Sequence, residues 1–194
     1  MSLGNPLGNP LGNPLGLMSK AGGGVKVQSG FQFGPSGSPV VARFPLKKVN
    51  VNKAIIFASM QGAGSDGSSQ TEAFAFTSLE EEAITFTTQR SEASGYWPTL
   101  SWIVMEIESI KKITRPIVAL PASSQSSVVV PLPDGTNREK TIVIPILKAR
   151  TVNQRAVDVC VQFTPAGFIL NRGLLGPGVT TSSVDFMCQI VEFE

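Results

Sequence analysis

Histidine is missing from this 194-residue chain. That removes Ser-His-Asp and Cys-His nucleophile pairs together with the commonest zinc ligand. Cysteine is almost as scarce. Cys160 and Cys188 fall in strand-like runs, and neither belongs to a metal-spacing motif. Buried free thiols acting as small hydrophobes are favoured over a disulfide. Charge is sparse, with 15% charged residues and a net charge of +2. Without a basic run, that is too little to draw nucleic acid or an anionic membrane. No apolar stretch is long enough to span a bilayer. The N-terminus lacks the charged start and continuous apolar core of a signal peptide, as expected of a protein made in the cytoplasm. Glycine-rich nucleotide loops and the Gly-x-Ser-x-Gly nucleophile elbow find no convincing match. Ala21-Gly22-Gly23-Gly24 has the glycine of a phosphate loop but no lysine and helix after it. Neither a catalytic residue, a cofactor nor a metal ligand is expected.

Against these absences stand two runs that resemble each other. Leu100-Ser101-Trp102-Ile103-Val104-Met105-Glu106-Ile107 closes the first half, and Phe186-Met187-Cys188-Gln189-Ile190-Val191-Glu192-Phe193 closes the second. Both are rich in β-branched and aromatic residues and contain no Gly or Pro, as strands buried on most of both faces do. Other landmarks keep step. Lys53 precedes Glu106 by 53 residues and Lys140 precedes Glu192 by 52. Phe76-Thr77 and Phe163-Thr164 each begin 23 residues after their lysine. Val40-Val41-Ala42 and Val128-Val129-Val130 precede it by 13 and 12. The register predicts two copies of one β-domain, at 25–109 and 116–194, joined by a linker at 110–115.

Short alternating strands, frequent turn signals and almost no helical periodicity predict tandem antiparallel β-sandwiches. Pro145 marks its run as an edge or bulged strand, and Pro133-Asp134-Gly135-Thr136 is a turn. In the closing strand of the first half, Leu100, Trp102, Val104 and Glu106 share one face, and Ile103, Met105 and Ile107 share the other. An outer face this apolar is expected to be covered, either by the other domain or by a symmetry mate. Met105 and Val191 are therefore candidate interaction residues.

Residues 1–24 form an arm and a glycine hinge. Leu-Gly-Asn-Pro recurs at Leu3, Leu7 and Leu11, and Leu15-Gly16 starts a fourth repeat. A proline at every fourth position forbids a continuous helix, and the leucines have no core of their own. The segment is either a loose tail or an arm that orders against a neighbouring subunit, which the regular leucines favour.

Tyr96 and Trp97, at a loop tip, are candidates for stacking on a sugar or anchoring a protein interface, although Trp97 beside Pro98 can equally cap the sandwich edge. Glu80-Glu81-Glu82 is the densest carboxylate cluster. A solvated turn is favoured there over a calcium site. Arg90 and Arg172 are placed to form structural salt bridges with Glu106 and Glu192.

The first copy carries Gln28-Ser29-Gly30, the strand opened by Lys53, Thr85-Phe86-Thr87-Thr88-Gln89-Arg90 and the closing Ser101-Trp102-Ile103-Val104-Met105-Glu106-Ile107. Together they resemble the small β-domain of many virion structural proteins of tailed bacteriophages, and also the H-type lectin sandwich, which assembles as trimers and larger rings. The resemblance covers nearly all of the first copy. In the second it rests on Lys140, Arg172 and Ile190-Val191-Glu192-Phe193, with no counterpart of Trp102. It implies a structural component of a phage particle (neck, tail or capsid decoration), made in the host cytoplasm and located in the virion. The partners would be copies of itself and other virion proteins, with no nucleic acid and no membrane. The alternative is a carbohydrate- or receptor-binding module using Tyr96 and Trp97, with a glycan as partner; no sugar-binding residue carries over.

Overall fold

A computed structural model describes residues 24–33, 41–61, 73–89, 99–121, 127–150, 159–172 and 183–194. The first half contributes β1 (Val25–Phe33), β2 (Val41–Pro45), β3 (Ala54–Gln61), β4 (Ala73–Glu80), β5 (Ala83–Gln89) and β6 (Thr99–Ile107). The second contributes β7 (Ile110–Thr114), β8 (Ile117–Leu120), β9 (Ser127–Pro131), β10 (Thr141–Arg150), β11 (Val159–Thr164), β12 (Gly167–Arg172) and β13 (Val184–Phe193). All pairings are antiparallel. The protein is all-β.

Sheet I has the order β1-β6-β3 and sheet II the order β2-β5-β4. Their facing sides bury Ile56, Phe76, Ile84, Phe86, Leu100, Trp102 and Val104 in one core. Phe86 lies edge-on to Phe76 (6.0 Å) and to Phe44 (6.3 Å), arrangements that suit aromatic quadrupoles. In the second half, sheet III runs β10-β13-β7 with β8 also on β13, and sheet IV runs β11-β12-β9. They enclose a second core around Phe168, Leu170, Phe186, Cys188 and Ile190. Strand for strand the two halves follow the same plan, except that the place of β1 is taken by two segments. β7 pairs with the last residues of β13 and β8 with the first, and the break between them falls at Arg115-Pro116, where a ladder donor is missing.

The expected linker at 110–115 is this strand. Ile110 is fully buried, and β7 pairs with β13 from Ile110 to Thr114. Lys111 and Lys112 face outward and make the run look like a polar joint, whereas the real connection is the turn at Glu108 and Ser109. Pro145 behaves as its chemistry requires: β10 is the edge of sheet III and carries a bulge between Leu147 and Ala149. Gly135 sits at φ 74° in the turn closed by Thr136 N–H on the Pro133 carbonyl (3.1 Å).

The second half covers the free edges of the first. Ile146 and Met187 join the core between sheets I and II, while Ile55, Ile110 and Val191 form a third buried cluster. Burying each such side chain contributes about 1.5–3 kcal/mol. An open strand edge also leaves backbone groups that need partners. Gln189 supplies them to Ile56 (Oε1 to N–H, 2.9 Å; Nε2 to C=O, 2.7 Å). Arg115 Nη2 donates to the carbonyls of Val51 (2.8 Å) and Ala54 (2.7 Å). Lys148 donates to the carbonyl of Thr77 (2.6 Å), the bulge residue of β4, and lies over the Phe76 ring.

Candidate assembly groove

Two carboxylates repeat between the halves, and both are structural. Asn50 caps the 3-10 turn Val51–Lys53, with its side chain accepting from Asn52 N–H, and Asn137 caps Arg138–Lys140 by accepting from Glu139 N–H. Each turn offers the backbone N–H of its Asn to a glutamate on the closing strand: Asn50 to Glu106 (2.8 Å) and Asn137 to Glu192 (3.2 Å). A lysine completes each arrangement, Lys26 on Glu106 and Lys111 on Glu192, both at 2.8 Å. The charge-assisted bond from the lysine, followed by the backbone N–H, holds each carboxyl below its ordinary pKa. Among the described residues the partners are therefore lysines from the neighbouring strand. Arg90 and the side chain of Arg172, the partners expected from the sequence, lie outside the described residues.

The cluster at Glu80-Glu81-Glu82 is a turn. Glu80 takes a two-pronged bond from Arg43 (2.8 and 3.2 Å), and Glu81 pairs with Lys48 (3.3 Å). The carbonyls of Glu81 and Glu82 accept from Val49 and Leu46. Among the described residues no group of three or more His, Cys, Asp or Glu is placed to hold a metal, and no helix is long and apolar enough to cross a membrane. The cysteines are unbonded to each other. Cys188 is buried as expected, but Cys160 is exposed.

The outer face of sheet I carries a different kind of surface. Cross-strand register sets Ser29, Ile103 and Phe57 in one row and Phe31, Ser101 and Ser59 in the next. Phe31 is 55% exposed, Phe57 39% and Ile103 36%. The bulky side chains alternate with serines, so the floor is apolar but indented. Ile144, Pro145 and Ile146 of β10 line the same depression, whose volume is about 580 Å³. Pro145 lets the edge strand lie there without an unsatisfied donor. Among the described residues no charged side chain lines the groove. Beneath it, Gly30 makes room for Trp102: a methyl group on Gly30 would sit 2.5 Å from the indole.

Of the two interaction residues expected on the closing strands, Val191 is fully buried inside the chain against Ile55 and Ile110. Its cover comes from within the chain, with Ile55 and Ile107 of the first half beside Ile110 and Ile113 of β7. Met105 is half-buried in the row of Val27 and Ile55, next to the groove. Ile107 also packs against the cluster formed with the second half, and Ile103 is left outside. Leu3, Leu7, Leu11, Leu15, Tyr96 and Trp97 lie outside the described residues. Phe31, Phe57 and Ile144 were not singled out in the sequence. The signal was the alternation at Phe31-Gln32-Phe33, and Phe57 standing on the face opposite Ile56. No family model, curated protein or solved structure matches the chain.

Proposed function

We propose that the chain is a structural component of a tailed-phage particle that works by self-assembly, using the outer face of sheet I as a contact surface. The observation that carries this reading is the clustering of Phe31, Phe57 and Ile103, each more than a third exposed, around one groove whose described lining is uncharged. Scattered exposed hydrophobes need no explanation, but a contiguous patch beside an indentation suits a protein contact. The resemblance of the closing strand Ser101 to Ile107 to the virion β-domain points the same way. The matched strand orders and the matched Asn-Lys-Glu arrangements support a duplication of one β-domain.

Negative-stain electron microscopy of the purified chain tests the reading, with trimers or larger rings expected. Single 20.5 kDa particles would oppose it. A glycan array tests the carbohydrate-binding alternative, whose residues Tyr96 and Trp97 fall outside the described structure. Specific sugar binding by a monomer would replace the present reading.

A further inference from the structure

We propose that the groove on sheet I receives the Leu-Gly-Asn-Pro arm of a second copy of this chain. The inference rests on the assembly reading and names its contact. Charge is the first match. Among the described residues the groove lining contains no Asp, Glu, Lys or Arg, and the sequence carries none before Lys20. Bringing the two together strips water from no charged side chain.

Shape is the second match. A proline at every fourth position fixes one φ per repeat and favours extended backbone there, which lowers the ordering cost of docking, although the glycine in each repeat adds to it. Proline-rich segments enter aromatic-lined grooves in this way. At about 3.1 Å per residue, one four-residue repeat advances about 12 Å. Sheet I measures about 10 Å from β1 to β3, two strand spacings. One leucine beside Phe31 therefore places the next beyond Phe57, against Ile144. The intervening asparagine meets the hydroxyls of Ser29, Ser59 and Ser101, which provide donors and acceptors for its amide.

Chain direction selects the second copy. The arm joins the fold at Gly24, whose carbonyl accepts from Glu108 N–H at the start of β1. The groove lies at the other end of that strand, at Ser29 to Phe31, about 20 Å away. β1 runs from Gly24 toward the groove, so a segment continuing its line before Gly24 would point away from the groove of its own chain. To lie in its own groove it would have to reverse at the glycines and run back across the row of Val27 and Met105. Reaching a neighbour needs no reversal, and 23 residues at about 3.1 Å each extend to about 70 Å.

The test uses the full chain, a variant lacking residues 1–17, and the groove variants Phe57→Asp and Ile103→Asp. A fluorescent peptide of residues 1–17 is expected to bind wild type and to bind either groove variant at least tenfold more weakly, with melting temperatures unchanged. Equal binding by the groove variants overturns the proposal. In native mass spectrometry the arm-deleted chain and Phe57→Asp are each expected to remain monomeric alone and to form mixed complexes together. Peptide binding without mixed complexes places the arm on its own chain and overturns the second-copy assignment. Oligomers that persist without the arm defeat this inference alone, whereas a wild type that never self-associates defeats the assembly reading as well.

Discussion

The side-chain amide of Gln189 occupies both backbone hydrogen-bonding groups of Ile56, 133 residues earlier in the chain. Gln189 has no exposed surface and stands where a neighbouring strand would otherwise have to pair with β3. It closes the first half's open edge with one residue and ties the halves at their centre. Gln189→Leu keeps the volume but strands a buried N–H and a buried C=O. It is expected to cost roughly 2–4 kcal/mol and to speed hydrogen exchange at the Ile56 amide. Gln189→Glu retains the acceptor but turns a carboxylate toward the Ile56 carbonyl, and should be worse. Urea unfolding midpoints check both. A Leu variant as stable as wild type would mean that water or rearrangement replaces the amide.

Acid should weaken the fold through Glu106 and Glu192. In the folded chain both carboxyls are held below the ordinary value of 4.5, chiefly by their lysine partners. As pH falls below that value, the unfolded chain takes up protons that the folded chain resists, so the equilibrium moves toward unfolding. The stabilisation is complete above about pH 4.5 and is lost progressively below it. Melting temperatures between about pH 6 and about pH 3 should fall less steeply in the Glu106→Gln, Glu192→Gln double variant than in wild type. Parallel curves would assign the acid sensitivity to other groups.

The two thiols should separate cleanly by reactivity. Burial pushes the Cys188 thiol up to about 11 and denies reagents access, while Cys160 is exposed. A disulfide reagent at about pH 8 is expected to modify one thiol in the native protein and two in urea. Two fast thiols in the native state would show that the core around Cys188 opens readily.

Gly30 is expected to tolerate no side chain while Trp102 lies over it. Gly30→Ala should destabilise by about 1–3 kcal/mol through overpacking. Combining it with Trp102→Phe, which shortens the ring system, should cost less than the sum of the single changes. Strict additivity in urea unfolding would contradict the contact.

The sequence disclosed strands more readily than it disclosed neighbours. The runs ending at Ile107 and Phe193 read as buried strands because their composition suits burial on both faces, and both are central. Which residue lies opposite is a matter of topology. Lys26 is 80 residues from Glu106 and Lys111 is 81 from Glu192, so nothing local pointed to them. Gln189 is the one amide in an apolar run, and neither its burial nor its backbone partner was read from the sequence. Ile103 was legible on the outer face of its strand, whereas Phe57 was not singled out. Whether anything covered that face depended on where β10 lies, and that comes from chain about 40 residues beyond Ile103.

Sedimentation velocity of the full chain beside Phe57→Asp, across a micromolar concentration series, tests self-assembly through sheet I most directly. Phe57 is already 39% exposed, so aspartate there should leave the melting temperature nearly unchanged. The expected result is a concentration-dependent oligomer for wild type and a monomer for the variant. A wild type that sediments as a clean monomer, or an oligomer indifferent to the charge at Phe57, would contradict it.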